Sequence, residues 1–236
     1  FLTVLTAAAL LGGIKIVSKV ASICVPLMIL LYLGFGSYIM ILNAGQIPEV
    51  FGMILRGAFT GEGAAGGAVG AGFLIAMQIG AQRSLFSNES GMGTASIPAA
   101  VAATSHPVRQ GLASMTQTFV DTIIVISMTG FVILTTGTWT AGPDQAATMT
   151  GEAFPHGLPG EWGHWIVTIA LALFAYSTIL GWAYYGEKCW EYLLGTASEK
   201  PFRILWILCV PVGAVTSLDF AWLVADTLNA LMAIPN

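Results

Sequence analysis

The chain has 236 residues, of which 56% are hydrophobic and only 8% charged, and its mean hydropathy is +0.81. Soluble domains carry about a quarter charged residues, so there is too little charge here to cover a water-facing surface, and the composition is that of an integral membrane protein. A formal net charge of −4 excludes the basic patch of a nucleic-acid binder, and no nucleic-acid partner is expected.

The chain opens on Phe1, inside an apolar run with no basic leader, and "LMAIPN" ends it after another apolar stretch. Both ends are expected to be cuts within a longer protein. A bilayer crossing needs about 20 predominantly apolar residues. Residues 1–12 suit the tail of one span, and "GGIKIVSK", with Lys15 and Lys19, reads as a short loop or interfacial turn. Ile23–Leu42 is a clean span. The stretch "NAGQIPEVFGMILRGAFTGEG" has a short apolar stripe at Val50, Ile54 and Leu55 and predicts an interfacial helix.

Residues 64–104 come next, first glycine-rich and then polar. Leu112–Thr136 is a long span, and 137–163 is a polar loop with Pro143, Pro155 and Pro159. Trp165–Tyr185 spans again, and "GEKCWEYLLGTASEK" reads as a charged loop. Phe202–Leu218 and Phe220–Ile234 are two last spans, the first interrupted by Pro211.

Lysine and arginine set the orientation. The 137–160 stretch has neither, whereas 186–203 has Lys188, Lys200 and Arg203, and Arg109 precedes the Leu112 span. The 137–163 loop is therefore expected outside the cell membrane and the 186–203 loop in the cytoplasm. Residues 64–104 must then cross an odd number of times. They number about 40, twice what one straight crossing needs and too few for three. One crossing with broken or re-entrant backbone results. Such backbone survives at membrane depth only where protein buries it or where it lines a wet cavity, as in the broken helices of transporters.

Four stretches carry candidate chemistry. "GEGAAGGAVGAG" holds Gly61, Gly63, Gly66, Gly67, Gly70 and Gly72. It suits close helix packing, a ligand-contacting break or a plain loop. Phe73 and Met77 follow one turn apart, as walls of a small apolar pocket or as bundle packing. In "SLFSNESGMGTAS", Ser87, Asn88, Glu89 and Ser90 offer oxygens either to Na⁺ or to freed helix ends. Asp121, inside its span, suits a coupling ion, a proton relay or a structural hydrogen-bond network. In "FAYSTILGWAYYGE", Ser177 and Thr178 are adjacent hydroxyls that either ligate Na⁺ or bond a preceding carbonyl of their own helix. Gly181 and Trp182 add a notch and a wall.

Cys24, Cys189 and Cys209 have neither metal nor disulfide spacing, and His106, His156 and His164 lack partners at metal-ligand spacing. There is no phosphate loop, no Ser–His–Asp pattern and no HExxH. Neither an enzyme nor an organic cofactor is expected.

The segments "FSNESGMGTASIPAAVAATSHPVRQG", "FVDTIIV", "FAYSTILGWAYYGEKCWEYLLG" and "VADTLNALMAIPN" resemble, in order and spacing, the alanine or glycine:cation symporter family, the sodium:alanine symporters. The resemblance covers essentially the whole chain but only the later half of a family member. It implies an all-α polytopic membrane fold, the second half of a LeuT-type inverted-repeat transporter. Ile23–Leu42 would be the fifth core helix, 64–104 the broken sixth, and the later spans the seventh to tenth.

The resemblance also implies symport of small neutral amino acids, alanine or glycine, with Na⁺ as the coupling ion. Thr178 and Trp182 match the motif that lines the amino-acid site, with Ile179 between them. Ser177 matches a position where a LeuT-type eighth helix offers a hydroxyl to Na⁺, so Ser177 and Thr178 are a partial Na⁺ site. Gly70, Gly72, Phe73 and Met77 complete the expected substrate pocket. In Ser90–Ala100 the sequence departs from the family's usual "EAGMGSAPIAHAA", and no role rests on that motif's histidine. The expected partners are the amino acid, Na⁺, the lipid bilayer and a missing N-terminal half that carries the first broken helix. Proton coupling through Asp121 or Glu89 and a transporter-like amino-acid sensor are the alternatives.

Overall fold

A computed structural model describes residues 2–59, 69–142, 145–160 and 162–235, and in these residues it is all-helical. In chain order the helices are α1 (Leu2–Leu11), α2 (Ile14–Leu42), α3 (Ile47–Phe59), α4 (Val69–Ser87), α5 (Ser96–Ala100) and α6 (Pro107–Thr118). They continue with α7 (Ser127–Thr135), α8 (Ala146–Gly157), α9 (Trp162–Leu194), α10 (Glu199–Val215) and α11 (Leu218–Ala233). A π-helical stretch, Phe119–Ile126, joins α6 to α7 without interruption.

Among the described residues, three helical runs are long and apolar enough to cross a bilayer: Ile16–Leu42 with 27 residues, Pro107–Thr135 with 29 and Gly163–Leu194 with 32. At about 1.5 Å per residue each exceeds the roughly 30 Å hydrocarbon core. The two C-terminal helices, read as spans from their apolarity, are shorter at 17 and 16 residues.

Element boundaries follow local chemistry. Pro107 takes the first helical position of α6, where its missing N–H costs nothing, and His106 Nδ1 accepts from the Val108 N–H at 3.2 Å. Gly195, at φ +82°, closes α9, its N–H donating to Glu191 O at 2.7 Å.

Two sequence readings are corrected by this geometry. Residues 186–194 are not loop but the continuation of α9, and only the 3₁₀ turn Thr196–Ser198 separates it from α10. Lys15 and Lys19 lie on α2 rather than in a loop before it. The 137–163 segment carries the 3₁₀ turn Thr138–Ala141 and all of α8.

The chain divides into two compact units. The first comprises Phe1–Leu30, Gly91–Thr104 and Ile169–Asn236, and the second Leu31–Ser90 and Ser105–Thr168. In the first, Ala9, Leu10, Val17, Leu180 and Ala183 form a buried cluster flanked by Tyr176, Trp206 and Ile207. In the second, Ile39, Val132 and Phe154 are fully buried. The Phe154 ring packs 5.1 Å from that of Tyr32, whose hydroxyl meets Thr129 Oγ1 at 2.6 Å. Gly157 lies so close to Ile39 that a Cβ there would stand 2.7 Å from its Cγ2.

Candidate functional site

The residues Ser177, Thr178, Ile179 and Trp182 lie on consecutive turns of α9, in the first unit. Thr178 and Trp182 are four apart, hence on one face. Thr178 is exposed, and the half-buried Trp182 meets Tyr185 edge-on at 5.8 Å. Ser177 Oγ donates to Phe174 O at 3.0 Å and lies 3.7 Å from Met28 Sδ. Its single proton is thus committed to its own helix, and its lone pairs remain available to a cation. Ile179 points elsewhere, into an apolar cavity of about 700 Å³ shared with Leu2, Trp206 and Val210.

The opposite side of α9 is held in place. Leu180 and Ala183 are buried, and Tyr176 Oη donates to Leu5 O at 3.1 Å. One turn beyond Ala183, the buried Glu187 receives a bidentate guanidinium, Arg203 Nε at 2.6 Å and Nη2 at 2.8 Å. Gly186 admits the Phe202 ring beside it, where a Cβ would stand 2.6 Å from Cζ. These contacts fix the rotation of α9 about its axis and so the direction its Thr178 face presents. Sequence reading missed the Glu187–Arg203 pair. It counted Arg203 only as an inside charge, because the pairing depends on the α9–α10 hairpin.

The second group, Gly70, Gly72 and Met77, lies on α4 in the second unit. The described helix runs unbroken through both glycines, and Met77 is exposed. Gly61, Gly63, Gly66, Gly67 and the Phe73 side chain lie outside the described residues.

The break in this region follows Ser87. Glu89 takes a left-handed φ of +52°, with Ser90 N–H donating back to Leu85 O at 3.1 Å and Glu89 N–H to Phe86 O at 3.3 Å. This pair of bonds is a Schellman closure, with Glu89 where glycine is the usual residue. The end of α4 is tied to the π-helical stretch by two neighbouring bonds. Ser87 Oγ donates to Asp121 Oδ2 at 2.5 Å, and Asn88 Nδ2 donates to Thr122 Oγ1 at 2.9 Å. Asn88 Nδ2 also reaches Ser84 O at 3.1 Å, which settles the amide orientation, since a carbonyl only accepts. Asp121 and the Ser87–Asn88 pair, separate candidates in the sequence, thus form one network. π-helical turns recur at functional positions because they displace carbonyls from the regular ladder. Among the described residues no cluster of His, Cys, Asp and Glu suits a metal ion.

Long apolar helices with few charges are those of a helical membrane protein, and the class of membrane protein is given by its relatives. The sequence model of the sodium:alanine symporter family matches residues 1–236, and the chain belongs to that family. It is 46% identical over 234 residues to an uncharacterised transporter of Haemophilus influenzae, covering 99% of this chain and 51% of that protein. It is also 46% identical to the sodium/alanine symporter AgcS of Methanococcus maripaludis, covering 100% and 51%. Against the probable sodium/glutamine symporter GlnT of Bacillus subtilis the identity is 34%, covering 95% and 46%. The chain spans about half the length of the curated relatives it matches. The family and these relatives are transporters and symporters, not enzymes.

Proposed function

We propose that the protein is a sodium-coupled symporter of small neutral amino acids in the cell membrane, working by alternating access within a LeuT-type inverted-repeat fold. The single observation that carries this reading is the family match over the whole chain. The relatives' names support an amino-acid substrate, with alanine in one and glutamine in another. Alanine is the substrate to test first and glycine the second.

In this reading the Thr178 hydroxyl holds a polar end of the amino acid. Trp182 limits its side chain. Ser177 and Thr178 contribute hydroxyl oxygens to Na⁺, whose inward gradient drives uptake. The remaining half of the transporter supplies the other contacts. The 137–163 segment faces outside and the α9–α10 turn the cytoplasm, as the distribution of lysine and arginine requires.

The test is uptake of labelled alanine by the full-length protein in proteoliposomes, under a Na⁺ gradient and under a matched K⁺ gradient. Concentrative uptake is expected only with Na⁺. Thr178→Ala and Trp182→Ala should each raise the alanine KM about tenfold or more, and Ser177→Ala should raise the half-saturating Na⁺ concentration several-fold. Uptake indifferent to Na⁺ would overturn the coupling, and unaltered kinetics in all three variants would overturn the site.

A further inference from the structure

A concave surface of about 290 Å³ lies between the turn that follows α7 and the body of α8, and none of the candidate substrate- or sodium-site residues lines it. The side-chain hydroxyls on its walls are already committed as donors. Thr136 Oγ1 donates to Val132 O at 2.7 Å and Thr138 Oγ1 to Ile133 O at 3.3 Å. Thr140 Oγ1 donates to Gly137 O at 2.8 Å and Thr148 Oγ1 to Gln145 O at 3.2 Å. A hydroxyl has one proton, so each of these four threonines has only lone pairs left for a ligand.

His156 follows the same logic. Its Nδ1 lies 2.7 Å from Glu152 O, and because a carbonyl only accepts, Nδ1 carries the proton. In the neutral ring Nε2 is then an acceptor. The Glu152 carboxylate supplies a negative charge, and no Lys or Arg occurs anywhere in 137–160 to neutralise it. The side-chain amide of Gln145 is the one N–H₂ group among these lining residues. A concavity whose threonine hydroxyls and His156 Nε2 accept, and which carries the Glu152 carboxylate, suits a ligand that brings charge and donors together. Its volume is about ten times a water molecule's share of the liquid, roomy for a small organic molecule and loose for a bare ion.

We propose that this concavity binds the primary ammonium group of a small amino acid, with Glu152 as the counter-charge and the threonine hydroxyls as acceptors. It is distinct from the α9 residues and would concentrate substrate on the α8 side of the protein. Alanine as its physiological occupant rests on the symport reading, whereas the ammonium chemistry does not.

The experiment uses the full-length protein in detergent and methylammonium chloride as the probe, observed by saturation-transfer NMR. NaCl, alanine and tetramethylammonium chloride are the competitors at matched ionic strength. Saturable methylammonium binding is expected, displaced by alanine but not by Na⁺ or tetramethylammonium. It should weaken about tenfold in Glu152→Gln, where a charge-assisted bond becomes a neutral one, and about threefold in Thr140→Val. Binding unchanged in Glu152→Gln would overturn the site. Displacement by Na⁺ as effective as by alanine would overturn the ammonium assignment in favour of a bare cation. Failure of alanine to compete would overturn the amino-acid assignment. Because methylammonium binding requires no transport, these outcomes are independent of whether the uptake assay succeeds.

Discussion

Ser177, Asp121 and Glu89 show how individual polar residues are accommodated in a chain with few charges. Ser177 gives its proton to a carbonyl one turn back, the ordinary fate of a helical hydroxyl. Asp121 is held by Ser87, a residue 34 positions earlier. Glu89 sits in a left-handed conformation that costs an L-residue roughly 1–2 kcal/mol per position. The bonds that cross from Ser87 and Asn88 to Asp121 and Thr122 hold the chain there. Asp121→Asn keeps an oxygen to accept from Ser87, whereas Asp121→Ala removes it. Thermal unfolding in detergent should therefore show Asp121→Ala destabilised by about 1–2 kcal/mol and Asp121→Asn by less than half as much. Equal losses would mean that charge, not the hydrogen bond, holds the break.

The helical hairpin α9–α10 is closed at one end by a buried ion pair and by stacked rings. Glu187 is 5% exposed. The Phe202 ring lies 5.6 Å from that of Trp190 and 5.9 Å from that of Trp206. Breaking a buried pair leaves one charge uncompensated. Glu187→Gln should therefore destabilise the protein by about 3 kcal/mol, at the low end for such pairs because Glu199 still reaches Arg203 at 3.4 Å. Exchanging the two residues, Glu187→Arg with Arg203→Glu, should restore part of that stability, and both are read from unfolding curves. No recovery in the exchange would show that packing around Gly186 and Phe202 outweighs the pair. The helices themselves were legible from hydropathy. Their true ends were not, since "GEKCWEYLL" carries charge enough to pass for a loop yet keeps a helix going once Arg203 and Glu199 are brought opposite.

Across the whole molecule, apolar residues face outward in a pattern that no water-soluble surface tolerates. Leu30, Ile41, Met115 and Trp165 are 71–72% exposed, each on one of the three long runs. Exposed apolar area of this extent requires lipid or protein against it. The protein should remain in the membrane pellet after an alkaline carbonate wash of cell membranes, and its release into the supernatant would contradict insertion of these helices. Membrane class, the long apolar runs and a break within 64–104 were determined by the sequence itself, because they follow from local properties: the length of an apolar run, and where glycine, proline and charge interrupt it. Family membership was legible for a related reason, since its motifs are contiguous. The pairings of Ser87 with Asp121, Tyr176 with Leu5 and Glu187 with Arg203 were decided only by the tertiary structure, as was the concavity beside α8. Each depends on which elements pack together, and that is encoded in no local pattern.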